Sequence, residues 1–258
     1  MRASPTLLLL VGLSAFAEQP AMVKVGPGVY RPIYPAAASE TELTLPGFLL
    51  DVTPVTNGAL LAFVTAQPQW RRDRVKRVFA DRGYLQHWEG PLKPGEADPD
   101  QPARFVSWFV ARAYCAHRGA RLPTEAEWEL AAAADETELD ARRTPAFRDR
   151  LLAWYAQPNP ARLPKVGAGK PNAWGLHDLH GLLWEWVLDF GNTMISSDSR
   201  DGKDPSGRRF CGAGAANASE KDDYPSFMRI AFRSSLEGNY TIGNLGFRCA
   251  RDLSGVTR

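Results

Sequence analysis

Three cysteines and four histidines are few for 258 residues. A structural zinc site or a catalytic iron site needs three or four His, Cys or carboxylate ligands drawn together, and the chain has no H-E-x-x-H frame and no second histidine cluster. His-rich metal chemistry is set aside on that ground. Charge of one sign is lacking too: 31 Lys and Arg stand against 29 Asp and Glu, a net +2 with a pI near 8.4. That balance supplies no basic stripe, so no nucleic-acid partner is expected. Beyond the N-terminus no segment approaches ~18 uninterrupted apolar residues, and nothing there reads as a membrane-spanning helix.

What is present is a composition of 44% hydrophobic and 23% charged residues, ordinary for one large globular domain with a substantial core. The opening residues, MRASPTLLLLVGLSAFAEQP, place Arg2 before an apolar run from Leu7 that extends to Phe16, and set Ala15 and Ala17 around Phe16. This is the order of a secretory signal, and the run is too short to span a bilayer as a helix. Cleavage is predicted after Ala17, leaving a domain over residues 18–258 that is secreted or periplasmic. Cysteines in an oxidising compartment tend to pair. Cys115, Cys211 and Cys249 allow three pairings, and spacing alone does not choose between them.

Residues Met22 to Tyr34 alternate apolar and polar with Gly and Pro between, which predicts short strands and turns. Thr56 and Asn57 are good helix caps ahead of ALLAFVTAQ. From Arg71 to Arg82 the chain is strongly basic, either a solvated segment or a surface for an acidic partner. Four prolines between Glu89 and Trp108 predict a loop. The stretch SWFVARAYCAHRG has helical spacing and ends at Gly119, so Cys115 falls near a helix end. In RLPTEAEWELAAAA, Thr124 and Glu127 form the S/T-x-x-E box that starts a helix. Past Gly191 the chain is rich in Gly, Ser, Asp and Asn, and long loops are predicted.

The densest stretch is GLHDLHGLLWEW, Gly175 to Trp186, followed by VLDF, which reads as a strand. His177 and His180 stand three apart on an irregular segment, and the only other histidines are His87 and His117. Such a pair does not make a zinc or iron site by itself.

PVTNGALLAF, VSWFVARAYCAHRGARLPTEAEWELAA, NAWGLHDLHGLLWEWVLD and NLGFRCARD occur in the order and approximate spacing of the formylglycine-generating enzymes, the sulfatase-modifying factors. The resemblance covers Met22 to Asp252. It implies an α/β fold in the broad sense, mixed α+β and irregular, related to C-type lectins, with little regular secondary structure. It also implies a Cys115–Cys249 disulfide, a closure for which chain entropy predicts roughly 4 to 5 kcal/mol. Cys211 is then the leftover thiol. In the family the WEW segment is a calcium loop, and its ligands map onto Asp178, the carbonyls of Gly181 and Leu183, and Glu185, an all-oxygen set that suits a hard cation. No ligands are found for the family's other calcium site: LLAWYAQPNPARLPKVGAGKPNAW contains no acid. The family cleft maps near Trp184, Arg233, Asn244 and Arg248.

One departure is decisive for chemistry. Formylglycine-generating enzymes hold copper between two cysteines spaced five apart, a soft site for Cu(I). Here the corresponding stretch, ANASEKDDYPSFMRI, has neither cysteine, and Cys211 lies ahead of it. A two-thiolate copper site is not supported, and Cys211 remains as the sole candidate for soft-metal, copper or iron, or redox chemistry. The pattern is similar to the branch lacking the copper cysteines: periplasmic proteins of pyoverdine maturation and accessory proteins of copper nitrite reductases. That resemblance implies a protein or peptide as substrate or partner.

Overall fold

The computed structural model describes residues 21–33, 41–191 and 223–253. The cleavage position after Ala17 and the thiol of Cys211 lie outside the described residues. The N-terminal alternation becomes two short strands, β1 (Met22–Val25) and β2 (Gly28–Tyr30). Gly26 turns the chain between them at φ +74, a conformation that costs glycine little. β3 (Leu43–Leu45) pairs antiparallel with β2, and β4 (Phe48–Asp51) with β1, setting Val25 opposite Phe48 and Met22 opposite Asp51.

The far end of the chain completes this sheet. β7 (Ala250–Asp252) runs antiparallel along the other edge of β4, Ala250 opposite Leu50. Cys249 is thereby carried to Cys115, and the two are joined by a disulfide across a separation of 134 residues. Asp51 secures the same junction. Its buried carboxylate accepts from Cys249 N at 2.9 Å and from two nitrogens of Arg118 at 2.7 and 3.0 Å.

Helix α1 (Asn57–Ala66) starts where Thr56 accepts from Ala59 N, and α2 (Trp108–His117) where Ser107 accepts from Val110 N. Gly119, at φ +64, ends α2. α3 (Glu125–Ala132) carries the full capping box of Thr124 and Glu127. Two further helices form, the first in a segment to which the sequence assigns no element and the second in the region past Gly191 that reads as loop. α4 (Pro145–Tyr155) has Pro at its first turn and buries Phe147 and Leu151 four apart. α5 (Tyr224–Ser234) buries Arg229 and Arg233 along with Ile230, so its inward face is not an apolar stripe.

The segment VLDF is not a strand. Strand β5 comes earlier, at Trp184–Glu185, and runs parallel to β6 (Leu245–Gly246). Leu188 N donates to Pro123 O, and Asp189 accepts from Glu125 N at 2.7 Å, so this segment is spent on the start of α3. Short strands and helices separated by long loops make the mixed, irregular architecture. One apolar core joins α1 and α2 to Trp88, Trp186 and Phe247; a second lies between the three-stranded sheet and α3, around Phe48, Leu50, Trp128 and Leu176.

Candidate functional site

Helix α3 places three buried glutamates in the interior, and each has a cationic partner. Glu127, besides its capping role, takes Arg121 at 2.7 Å. Glu129 takes Arg229 at 2.7 Å and Arg233 at 2.9 Å; Glu125 lies 3.5 Å from Arg233. Burial alone would raise the Glu129 carboxyl, but the two guanidinium groups outweigh it and hold it at about 2. Between these charges the Trp128 ring lies 4.3 Å from the Arg233 guanidinium. Its indole nitrogen donates to Glu185 Oε2 at 2.7 Å, which ties α3 to β5.

Glu185 is in turn clamped by Arg248, Nε to Oε2 at 2.8 Å and Nη2 to Oε1 at 2.8 Å, with both side chains fully buried. The remaining donors of Arg248 reach the carbonyls of Asp51, Val52 and His177. Arg233 donates from Nε to Glu185 O at 3.2 Å. The residues mapped to a cleft therefore do converge on β5, but Arg233 and Arg248 are interior ion-pair residues and do not line an open cleft. The physical reason is that a buried guanidinium is stable only when paired, and both carry carboxylates here. Arg233 alone has capacity left: its Nη2 is buried without a hydrogen bond among the described residues.

The surface in front of this charge layer is aromatic. Trp184 is half-buried, 5.1 Å from Tyr155 and 5.7 Å from Trp154 in stacked geometry, and 4.7 Å from Phe232. Asn244 lies beside it, accepting from Trp184 N at 2.8 Å through its carbonyl and donating from Nδ2 to Asn159 Oδ1 at 3.2 Å. The interior charges reach this surface through one hydrogen bond, from Arg229 Nη1 to the Tyr155 hydroxyl at 2.8 Å. Trp154, Tyr155, Asn159 and Phe232 were not singled out from sequence. The pair WY at the end of a Pro-started helix was the available signal for the first two; Phe232 was hidden by the inverted pattern of α5.

The predicted calcium loop is a sharp one, with Asp178 at φ +60 and Gly181 at φ +92. Its histidines are structural. His177 Nδ1 contacts Gly169 O and His180 Nε2 contacts Ala132 O, both at 2.8 Å, and burial pushes His180 down to about 3. Asp178 accepts from Gly167 N, yet burial still raises its carboxyl, and Glu185 adds to that rise. Among the described residues Asp178 Oδ1 and the carbonyls of Gly181 and Leu183 accept no hydrogen bond. These oxygens fit a hard cation, whereas Glu185 already shares its oxygens with Arg248 and Trp128. Among the described residues no group of three or more His, Cys, Asp or Glu side chains is placed to hold a metal by itself.

A helix-capping Glu in an E-x-E-W-E run, a buried WEW glutamate on a C-terminal arginine, and that arginine beside a disulfide define the class. The chain belongs to the family of the sulfatase-modifying factor enzyme 1-like domain, whose model matches residues 12–253. Among its relatives, the formylglycine-generating enzyme of Streptomyces coelicolor is 35% identical over 64% of this chain and 58% of its own length. The inactive C-alpha-formylglycine-generating enzyme 2 of Bos taurus is 27% identical over 81% of this chain and 78% of its own. The chain thus spans about half to three fifths of the formylglycine-generating enzymes it matches. Of solved structures, PvdO from Pseudomonas aeruginosa aligns over 91% of this chain and 95% of its own, with TM-score 0.53 and 22% identity. CarF aligns over 92% and 99%, with TM-score 0.50 and 17% identity. Both show the shared fold.

Proposed function

We propose that the protein is an extracytoplasmic maturation or modification factor that takes a protein or peptide at the Trp184–Asn244 surface, and that it is not a formylglycine-generating copper oxidase. The observation that carries the second half is a cysteine count. The chain has three cysteines, and the disulfide between Cys115 and Cys249 uses two. A Cu(I) site of two protein thiolates cannot be assembled from Cys211 alone. The first half rests on chemistry of the surface: stacked Trp154, Tyr155 and Trp184 offer flat apolar faces, and Asn159 and Asn244 offer amide donors and acceptors at their edge. Such a mixture suits an extended peptide better than a small charged metabolite. Export follows from the N-terminal order of charge, apolar run and small residues. The resemblance to the branch lacking the copper cysteines supports the same reading.

Asp178 and the carbonyls of Gly181 and Leu183 would hold calcium, with Glu185 as a ligand only by giving up part of its pairing with Arg248 and Trp128, and the charge would stabilise the loop between Asp178 and Glu185 without taking part in a reaction. The second reading is a non-catalytic binding module for a periplasmic metalloenzyme. What favours it is the commitment of Arg233 to Glu129 and of Arg248 to Glu185, which leaves the cleft few groups for acid–base work, and the likeness to a relative named as inactive. Metal analysis of the purified protein separates the two. Stoichiometric copper or iron that is lost in Cys211→Ala supports an oxidative factor, and calcium alone supports the accessory module.

A further inference from the structure

The basic segment from Arg71 to Arg82 takes no part in the site above. It carries six basic and two acidic residues, a local +4 against +2 for the whole chain, so the remainder is slightly acidic. The structure shows why this is more than a solvated run. The segment is pinned from within: Trp70 packs on Phe79 and Phe79 on Phe109 at 5.8 and 5.4 Å, and Tyr84 donates to Trp70 O at 2.9 Å. Arg72 is spent on the carbonyls of Leu85 and Trp88, and Arg71 on Asp73. Asp81 is spent on the Thr241 hydroxyl and on Gly83 N.

What remains outward is Arg74, Lys76 and Arg82, with Arg77, which donates from Nη1 to Asp81 O at 2.9 Å, beside them; all four are exposed, and Val78 is at the apex of the turn. Val78 is 64% exposed, more than any other large apolar side chain among the described residues. A rigid turn that holds an apolar side chain out among four cations has the chemistry of a peripheral membrane contact. Apolar burial in the interface and attraction to anionic headgroups add together there. Among the described residues Arg74, Lys76 and Arg82 make no ion pair that would fix them for one partner geometry, which suits a diffuse negative surface. Among the described residues no helix is long and apolar enough to cross a membrane, so the contact would be superficial.

We propose that this turn docks the protein on an anionic lipid surface, with Val78 entering the interface and Arg74, Lys76, Arg77 and Arg82 facing the headgroups. The test is co-sedimentation of the full chain with phosphatidylcholine vesicles, with and without phosphatidylglycerol. Binding should require the anionic lipid and should weaken with salt, since the reach of a charge falls from about 10 Å at 0.1 M to about 3 Å at 1 M. Each Lys or Arg near such a surface gives about a fivefold gain, so the triple change Arg74→Ala, Lys76→Ala, Arg77→Ala should cost on the order of a hundredfold. Val78→Asp should also weaken binding and Val78→Trp strengthen it, with melting temperatures unchanged because all four positions are exposed. Equal binding to neutral and anionic vesicles would assign any membrane contact to the apolar N-terminus and overturn the proposal. So would capture by a polyglutamate peptide without vesicle binding, which would make the turn a site for an acidic protein.

Discussion

Helices α3 and α5 meet across one ionic layer, yet they are specified in opposite ways. α3 is written locally: Thr124 and Glu127 close its first turn within four residues. α5 is written at long range, because the arginines it buries find Glu129 at separations of 100 and 104 residues. A local cap sets where a helix starts; distant charges set whether a helix with arginines on its inner face has anywhere to go. The disulfide, across 134 residues, belongs with the second kind. Elements held at long range should therefore be costly to remove, and elements held locally cheap.

The largest effect should come from the covalent link. Cys115→Ser with Cys249→Ser should destabilise by roughly 4 to 5 kcal/mol, the chain-entropy value for so long a loop, taken from the midpoint and slope of denaturant unfolding together, because the released chain exposes more surface when unfolded. A loss under about 1 kcal/mol would place the junction's strength in Asp51 and Arg118 instead.

Next is Glu129→Ala, which strands Arg229 and Arg233 and should cost about 3 to 5 kcal/mol. Adding Arg229→Met should recover part of that loss, since it removes the stranded guanidinium while Arg233 keeps Glu125 at 3.5 Å. The cluster also sets an acid limit. Glu129 has its folded value depressed to about 2 from an ordinary 4.5, so its contribution is fully present above about pH 4.5 and is lost as pH falls toward 2. An acid melting profile that is the same in wild type and Glu129→Gln would remove Glu129 from that account.

The reasons for uneven legibility lie in the same contrast. The caps of α1 and α3, the end of α2 at Gly119 and the early strands could all be read because their causes sit within a few residues. α5 could not, because FMRIAFRS shows no apolar stripe until Glu129 is known to face it. VLDF looked like a strand by composition, but Asp189 is drawn to the N-terminus of α3, a contact no local pattern announces. At the candidate site Trp184 and Asn244 were legible through family likeness and sit together at the surface. Arg233 and Arg248 were legible as near the cleft, but not as interior ion pairs, because their carboxylate partners Glu129 and Glu185 lie 104 and 63 residues away.

Calcium sharpens the comparison at intermediate size. If Asp178, Gly181, Leu183 and Glu185 bind it, a hundredfold excess over Kd adds about 2.7 kcal/mol. Chelation should lower the melting temperature and added calcium restore it. A melting curve unmoved by either would mean that the loop is held without a cation, by Arg248 and Trp128 on Glu185 and by Gly167 N on Asp178. The smallest change is the local one: Thr124→Ala should cost about 1 kcal/mol, the usual value of a lost cap, read from the same denaturation curves.

The proposal that this sulfatase-modifying-factor fold works without the copper chemistry of the formylglycine-generating enzymes can be tested on a single substrate. The direct measurement is incubation of copper-supplemented protein in air with a sulfatase-type Cys-x-Pro-x-Arg peptide, followed by mass analysis for the aldehyde. No formylglycine is predicted, because one cysteine at most is available to a metal. Catalytic turnover that persists in wild type and disappears in Cys211→Ala would contradict the account and make Cys211 the catalytic residue.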